Sequence, residues 1–252
     1  MKMRIRQLVL VAENLEKTTD QLLQVFGLRV CHQDPGVAAF GLVNVLLPVG
    51  DTFLEVVSPT QDGTTAGRLL EKRRGDGGYM VILQVDSFER ADARIEAQGL
   101  RKVWRSSQPG VVEAAHIHPG DLGNTCILSL DEMAVPADWI WAGDDWRDYR
   151  QEHLVSTLLG VELAAEDPEA AAKIWAELLE RQANRDGDGW HIGLDEGTWI
   201  RFIAPPERGP GLIAMAVKCS QSAVVLQRAN ELNLPVLASS LELGGVRFDL
   251  ID

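Results

Sequence analysis

Cysteine is scarce in this chain: Cys31, Cys126 and Cys219 stand far apart, with no CxxC pair and no even-numbered set. That excludes a disulfide framework and points to a reduced, cytoplasmic setting. Long apolar runs are missing too. The one near the N-terminus, Leu8 to Ala12, is cut by Glu13, too short for a signal peptide, and no stretch approaches the ~20 residues of a membrane span. Basic blocks are absent, with 24 Lys and Arg against 37 Asp and Glu and a formal charge of −13. Such a surface repels nucleic acid and anionic membranes, so the expected partner is a small organic molecule, and a homodimer is compatible with the composition.

What is present is a globular composition, 46% hydrophobic over 252 residues, enough for two domains. The chain repeats one pattern four times: an apolar strand, a capped amphipathic helix, then strands ending in an apolar run. The first copy opens at Gln7 to Ala12, with Asn14 capping a helix that Gly27 ends, then strands at 29–32, 38–47 and 52–57. The second runs from Met80 through a helix capped by Ser87 to a strand at 125–130. The third has Leu158 to Ala164 and a helix opened by Asp167-Pro168. The fourth has Leu212 to Val217, a helix capped by Ser220, and a last strand at 245–250. Trp139, Trp141, Trp146 and Tyr149 crowd the connector. The expected division is residues 1–133 for copies one and two, a Trp-rich connector at 134–153, and 154–252 for a second, degenerate pair.

Glu55 is the awkward residue. Thr52-Phe53-Leu54-Glu55-Val56-Val57 alternates like a half-buried strand yet sets a carboxylate among bulky apolar neighbours, where it must be paired, protonated or bound to something. In a hairpin turning at Val49-Gly50, Asn44 is expected opposite Glu55 on the same face.

Four βαβββ modules, with Gln7 to Leu15, Asn44-Val45-Leu46-Leu47-Pro48 and Thr52 to Val57 as the strongest local marks, resemble the vicinal oxygen chelate superfamily. That superfamily includes glyoxalase I, bleomycin-resistance proteins, methylmalonyl-CoA epimerase and extradiol dioxygenases. The resemblance implies an α+β fold of two glyoxalase-like domains with cupped mixed sheets. It also implies metal ligands on the first and last strands of each module. Carried over, the first-strand positions are Gln7, Met80, Gly160 and Leu212, and the last-strand positions Glu55, Leu128, Arg201 and Asp249.

Only module one keeps two oxygen donors, Gln7 and Glu55, whereas a divalent metal usually takes three or more protein donors. Pairing module one with module four would add Asp249, but sequential neighbours are the expected pairs, leaving Arg201 beside Asp249 as an internal ion pair. His116 and His118 share a strand face, the one turned away from Asn44; His32 sits at a strand-to-loop rim, and Tyr79 and Arg68 are a phenol donor and an anion clamp in reserve.

Three readings follow. The first is a lyase, isomerase or dioxygenase with Glu55 as ligand or base and Mn, Fe, Ni or Zn at Gln7 and Glu55. In the second, a metal-free cup walled by Phe40, Phe53, Met80 and Leu128, with Gln7, Asn44 and His32 as polar contacts, binds an organic molecule as bleomycin-resistance proteins do. The third is a metal-free enzyme in which Glu55, raised in pKa by apolar surroundings, is the base.

Overall fold

The computed structural model describes residues 1–252. Its elements are β1 (Met3–Val11), α1 (Leu15–Phe26), β2 (Leu42–Val49), β3 (Thr52–Pro59), α2 (Thr65–Arg73), β4 (Gly77–Val85), α3 (Phe88–Ala97), β5 (Lys102–Gln108), β6 (Val112–Ile117) and β7 (Ile127–Met133). The second half has β8 (Val155–Ala164), α4 (Pro168–Leu179), β9 (Ala183–Asp186), β10 (Gly189–Gly193), β11 (Trp199–Ile203), β12 (Gly211–Cys219), α5 (Ser222–Glu231), β13 (Val236–Leu237), β14 (Ser240–Leu243) and β15 (Val246–Ile251).

Strands β1 to β7 form one mixed sheet in the order β2-β3-β1-β4-β7-β6-β5, and β8 to β15 form another in the order β13-β14-β15-β12-β8-β11-β10-β9. Modules one and two therefore share a sheet, as do three and four. By Cα proximity the chain groups into two compact units: residues 1–6, 80–139 and 160–213, and residues 7–79, 140–159 and 214–252. No helix is long and apolar enough to cross a membrane.

Local chemistry explains the helix boundaries. Asn14 accepts from the Lys17 amide at the start of α1, and Gly27 closes it in the left-handed region at φ 67°. Ser87 and Asp167 cap α3 and α4 in the same way. The helix of module four, α5, departs from expectation. Its N-cap is Gln221, without a side-chain cap bond, because the Ser220 hydroxyl donates to the His153 carbonyl instead. The expected strand at 29–32 is reduced to a single bridge, His32 to Leu46, and the strand expected at 38–47 starts only at Leu42 because residues Pro35–Phe40 form a 3-10 turn. Pro35 presets that turn's φ, and the Asp34 side chain accepts from the Gly36 amide.

In the unit that holds residues 80–139, Trp175 is fully buried, edge-on to Phe202 at 5.6 Å, and its indole N–H donates to Leu122. Trp139, the first connector tryptophan, is buried under the Arg6 guanidinium, 5.4 Å from the ring centre. In the other unit, Phe26 meets Phe248 at 5.2 Å. Trp146, from the second half of the connector, sits edge-on to Phe53 at 4.9 Å. The connector is thus packed, as its aromatic content implied.

Candidate functional site

Strands β2 and β3 pair through a turn of two residues, Gly50 and Asp51, with Val49 opposite Thr52. Phe53, Glu55 and Val57 consequently share one face of β3. The register sets Leu46 directly opposite Glu55 and Asn44 opposite Val57, so Asn44 lies two pairs further along than the sequence suggested. The period of two keeps it on Glu55's face, and its amide reaches diagonally. Gln7 does the same from β1, where Val9 is the partner of Glu55 and Gln7 the partner of Phe53.

The result is a carboxylate held at both oxygens. Asn44 Nδ2 donates to Glu55 Oε1 at 2.6 Å, and Gln7 Nε2 donates to Oε2 at 2.7 Å. All three side chains are buried: Gln7 is 2% exposed, Asn44 3% and Glu55 7%. The Asn44 oxygen is taken as well, accepting the backbone N–H of Asp34 at 2.8 Å. Asp34 was not singled out in the sequence, because a backbone donor leaves no mark on residue type.

Burial dominates the electrostatics. It pushes the Glu55 carboxyl up to about 7, against the two amide hydrogen bonds, which favour the charged form, and the Asp34 carboxylate adds a further upward push. Tyr79 is 8% exposed, and its phenol is pushed up to about 12, first by burial and then by the Glu55 charge, with Arg68 acting the other way. Arg68 is exposed, and its guanidinium bonds the Gly63 carbonyl and the Thr65 hydroxyl.

The parallel pairing of first and last strands repeats in every module and corrects two assignments. Met80 pairs with Ile127 as Gln7 pairs with Phe53, so the module-two counterpart of Glu55 is Ser129, not Leu128. Leu128 is fully buried on the opposite face from Ser129, whose hydroxyl bonds the Asp131 carboxylate. In module four, Ala214 pairs with Arg247 and Ala216 with Asp249, so the first-strand position is Ala214, not Leu212. Module three is filled by its own side chains. A Cβ on Gly160 would lie 2.2 Å from the Trp199 ring, so the missing side chain at 160 is what admits the indole.

The expected Arg201 and Asp249 ion pair is replaced by separate pairs. Arg201 binds Glu162 at 2.7 Å and Asp188 at 2.6 Å, and Arg247 holds Asp249 at 2.7 Å. Each carboxylate has a nearer cation on its own or the adjacent strand.

The other candidates scatter. Phe53 is fully buried against Trp146 and belongs to the core. Phe40 is 42% exposed at the end of the 3-10 turn, and Met80 is 7% exposed on β4. His32 borders a cleft of about 370 Å³ with Cys31, Ile140, Gly143, Asp144, Asp145 and Tyr149. His116 lies against Trp104 at 4.3 Å, and burial pulls its imidazole down to about 4, so it is neutral. His118 accepts the Gly120 amide at 3.0 Å through Nδ1, capping the turn at Pro119.

A model of the glyoxalase-like domain family matches residues 8–179. The chain belongs to that family. It lies in the vicinal oxygen chelate superfamily, and the two mixed sheets and two halves are that superfamily's fold. A hypothetical protein from Staphylococcus aureus is 11% identical, with 99% of this chain and 100% of that one covered, at a TM-score of 0.67. A mutant of 4-hydroxymandelate synthase from Streptomyces coelicolor is 13% identical, with 92% of this chain and 76% of that one covered, at a TM-score of 0.69. At these identities the likeness shows the fold alone. No curated protein matches the sequence.

Members of the superfamily commonly use a divalent metal, and the donor chemistry of this glyoxalase-like chain can be set against that. Glu55 is the one carboxylate at the position, and each of its oxygens already accepts an amide N–H. Asn44 turns its nitrogen, not its oxygen, toward Glu55, since its oxygen is engaged by Asp34. No group of three His, Cys, Asp or Glu side chains is arranged to hold an ion. The residues do not fit a divalent metal as placed.

Proposed function

We propose that this glyoxalase-like protein takes a small organic molecule at the face around Glu55 and that Glu55 is the proton acceptor in a metal-free isomerase- or lyase-type reaction. The observation that carries the reading is a buried carboxylate pushed to about 7 and fixed at both oxygens by amide donors. A base poised near neutral pH is half charged where it works, and its proton affinity is near the optimum for transfer. Held by Gln7 and Asn44, it cannot swing away from a substrate C–H.

The step is a C–H bond beside a substrate carbonyl breaking while an O–H bond forms on Glu55, the electron pair passing to the carbonyl oxygen as an enolate. Tyr79, whose phenol keeps its proton to about 12, is the nearby donor suited to that oxygen. An isomerase returns a proton to carbon, whereas a lyase collapses the enolate to a C=C bond with loss of a leaving group from the neighbouring carbon.

The test is deuterium exchange from solvent into a panel of small carbonyl compounds carrying an acidic α C–H, followed by NMR, with thermal shift reporting binding. The wild-type chain should exchange at least one compound that it binds. Glu55→Gln should lose that exchange by ~100-fold or more while still binding. Binding by the wild-type chain without exchange in any compound would make the protein a binding module and end the catalytic reading.

A further inference from the structure

Asn44 does more than donate to Glu55. Its two ends are committed to different parts of the fold: Oδ1 accepts from the Asp34 backbone N–H at 2.8 Å, and Nδ2 donates to Glu55 Oε1 at 2.6 Å. A primary amide has one oxygen and one nitrogen, so fixing the oxygen fixes which end faces the carboxylate. The donor that fixes it is the N-cap of the Pro35–Phe40 turn, and that turn is itself held by the Asp34 side chain accepting from Gly36 at 2.7 Å. The three side-chain and backbone groups are a single relay from an exposed turn to a buried acid.

We propose that Asn44 is a positioning residue through which the Asp34 to Phe40 turn holds Glu55 in its working orientation. Lifting Asp34 removes the anchor on the amide oxygen, so the amide is held only through its bond to Glu55 and no longer fixes that carboxylate to β2 and the turn. A ligand that displaces the turn therefore also loosens Glu55. This rests on Glu55 being the working carboxylate, but it is read without substrate, so a silent exchange assay leaves the relay standing.

Uniformly nitrogen-15-labelled full-length protein provides the readout. The Asn44 side-chain N–H, identified by its loss in Asn44→Ala, should resonate downfield of the ordinary amide range because it donates to a carboxylate at 2.6 Å. Asp34→Ala keeps the backbone N–H and should leave that signal in place. Asp34→Pro removes only the N–H further, and Asp34 already has φ −81°, which proline accepts, so the signal should move upfield. An Asn44 signal that is the same in both Asp34 variants overturns the relay. Exchange of the Asp34 amide proton gives an independent check that needs no proline. Protection should drop by roughly tenfold or more in Asn44→Ala and persist in Asn44→Asp, which keeps an acceptor oxygen. Equal protection in all three proteins also overturns it.

Discussion

At pH 8 the Glu55→Gln variant should unfold at a higher urea concentration than the wild-type chain, and below pH 4.5 the difference should vanish. The Glu55 carboxyl titrates at about 7 when folded against an ordinary value of 4.5. Between those values the folded protein keeps a proton that the unfolded chain has released. More protons bound in the folded state means that stability falls as pH rises through this window. The loss is complete above pH 7 and absent below 4.5. Its size is on the order of 3 kcal/mol, from about 1.4 kcal/mol per pKa unit. Glutamine resembles the protonated acid in shape and charge, each keeping a carbonyl oxygen that accepts from a flanking amide. The variant therefore never meets the cost of burying the anion. Urea titrations of both proteins at pH 4 and pH 8 isolate the effect, because titrating groups that do not interact with Glu55 cancel in the difference. A gap that does not change with pH would mean that Glu55 is solvated like a surface acid.

Gly50→Ala should be among the most damaging single substitutions in the chain, destabilising by roughly 3 kcal/mol or more. Two costs add at this position. Gly50 has φ 62°, in the left-handed region where a side chain strains the backbone, and an added Cβ would lie 2.0 Å from the Ser156 carbonyl oxygen. That oxygen is backbone and cannot rotate aside. The turn is further tied to the following segment by Thr52, whose hydroxyl donates to the Val49 carbonyl and accepts the Leu158 amide. Shifting the turn to relieve the clash would break these bonds and move β3, with Glu55 on it. A midpoint in thermal or urea unfolding close to wild type would contradict this account of the hairpin. Gly160→Ala should be milder, because the obstacle there is the half-buried Trp199 side chain.

The fold was legible in the sequence because its signals are periodic and capped. Asn14, Ser87 and Asp167 mark three helix starts through side chains that accept amide protons, and the strand runs alternate or are wholly apolar. The fourth start was misplaced at Ser220, where a hydroxyl suited to capping found a carbonyl elsewhere in the fold. The 3-10 turn at Pro35–Phe40 takes Ala38, Ala39 and Phe40 from the strand expected at 38–47, because the turn that Asp34, Pro35 and Gly36 start runs on through these apolar residues.

The candidate site was legible only as residue types. Asn44 and Glu55 could be placed on one face from the period of two, and Gln7 was placed beside them by the superfamily resemblance. Their hydrogen bonds depend on a register that moves by two pairs when the two-residue turn falls at Gly50-Asp51 and not at Val49-Gly50. Substituting Ser129 for Leu128 and Ala214 for Leu212 needed the parallel pairing itself, since the modules differ in length between first and last strands. The role of Asp34 comes from its backbone and has no sequence signature.

The most direct measurement is a pH titration of the Glu55 side-chain carboxyl carbon, observed by NMR in protein carrying carbon-13 in glutamate and assigned with Glu55→Gln. A midpoint at about 7 is expected for an acid buried among apolar neighbours and gripped by two amides. A midpoint at or below 4.5, the value from which Glu55 is raised, would contradict it, leaving a permanent anion in place of a base poised at neutral pH.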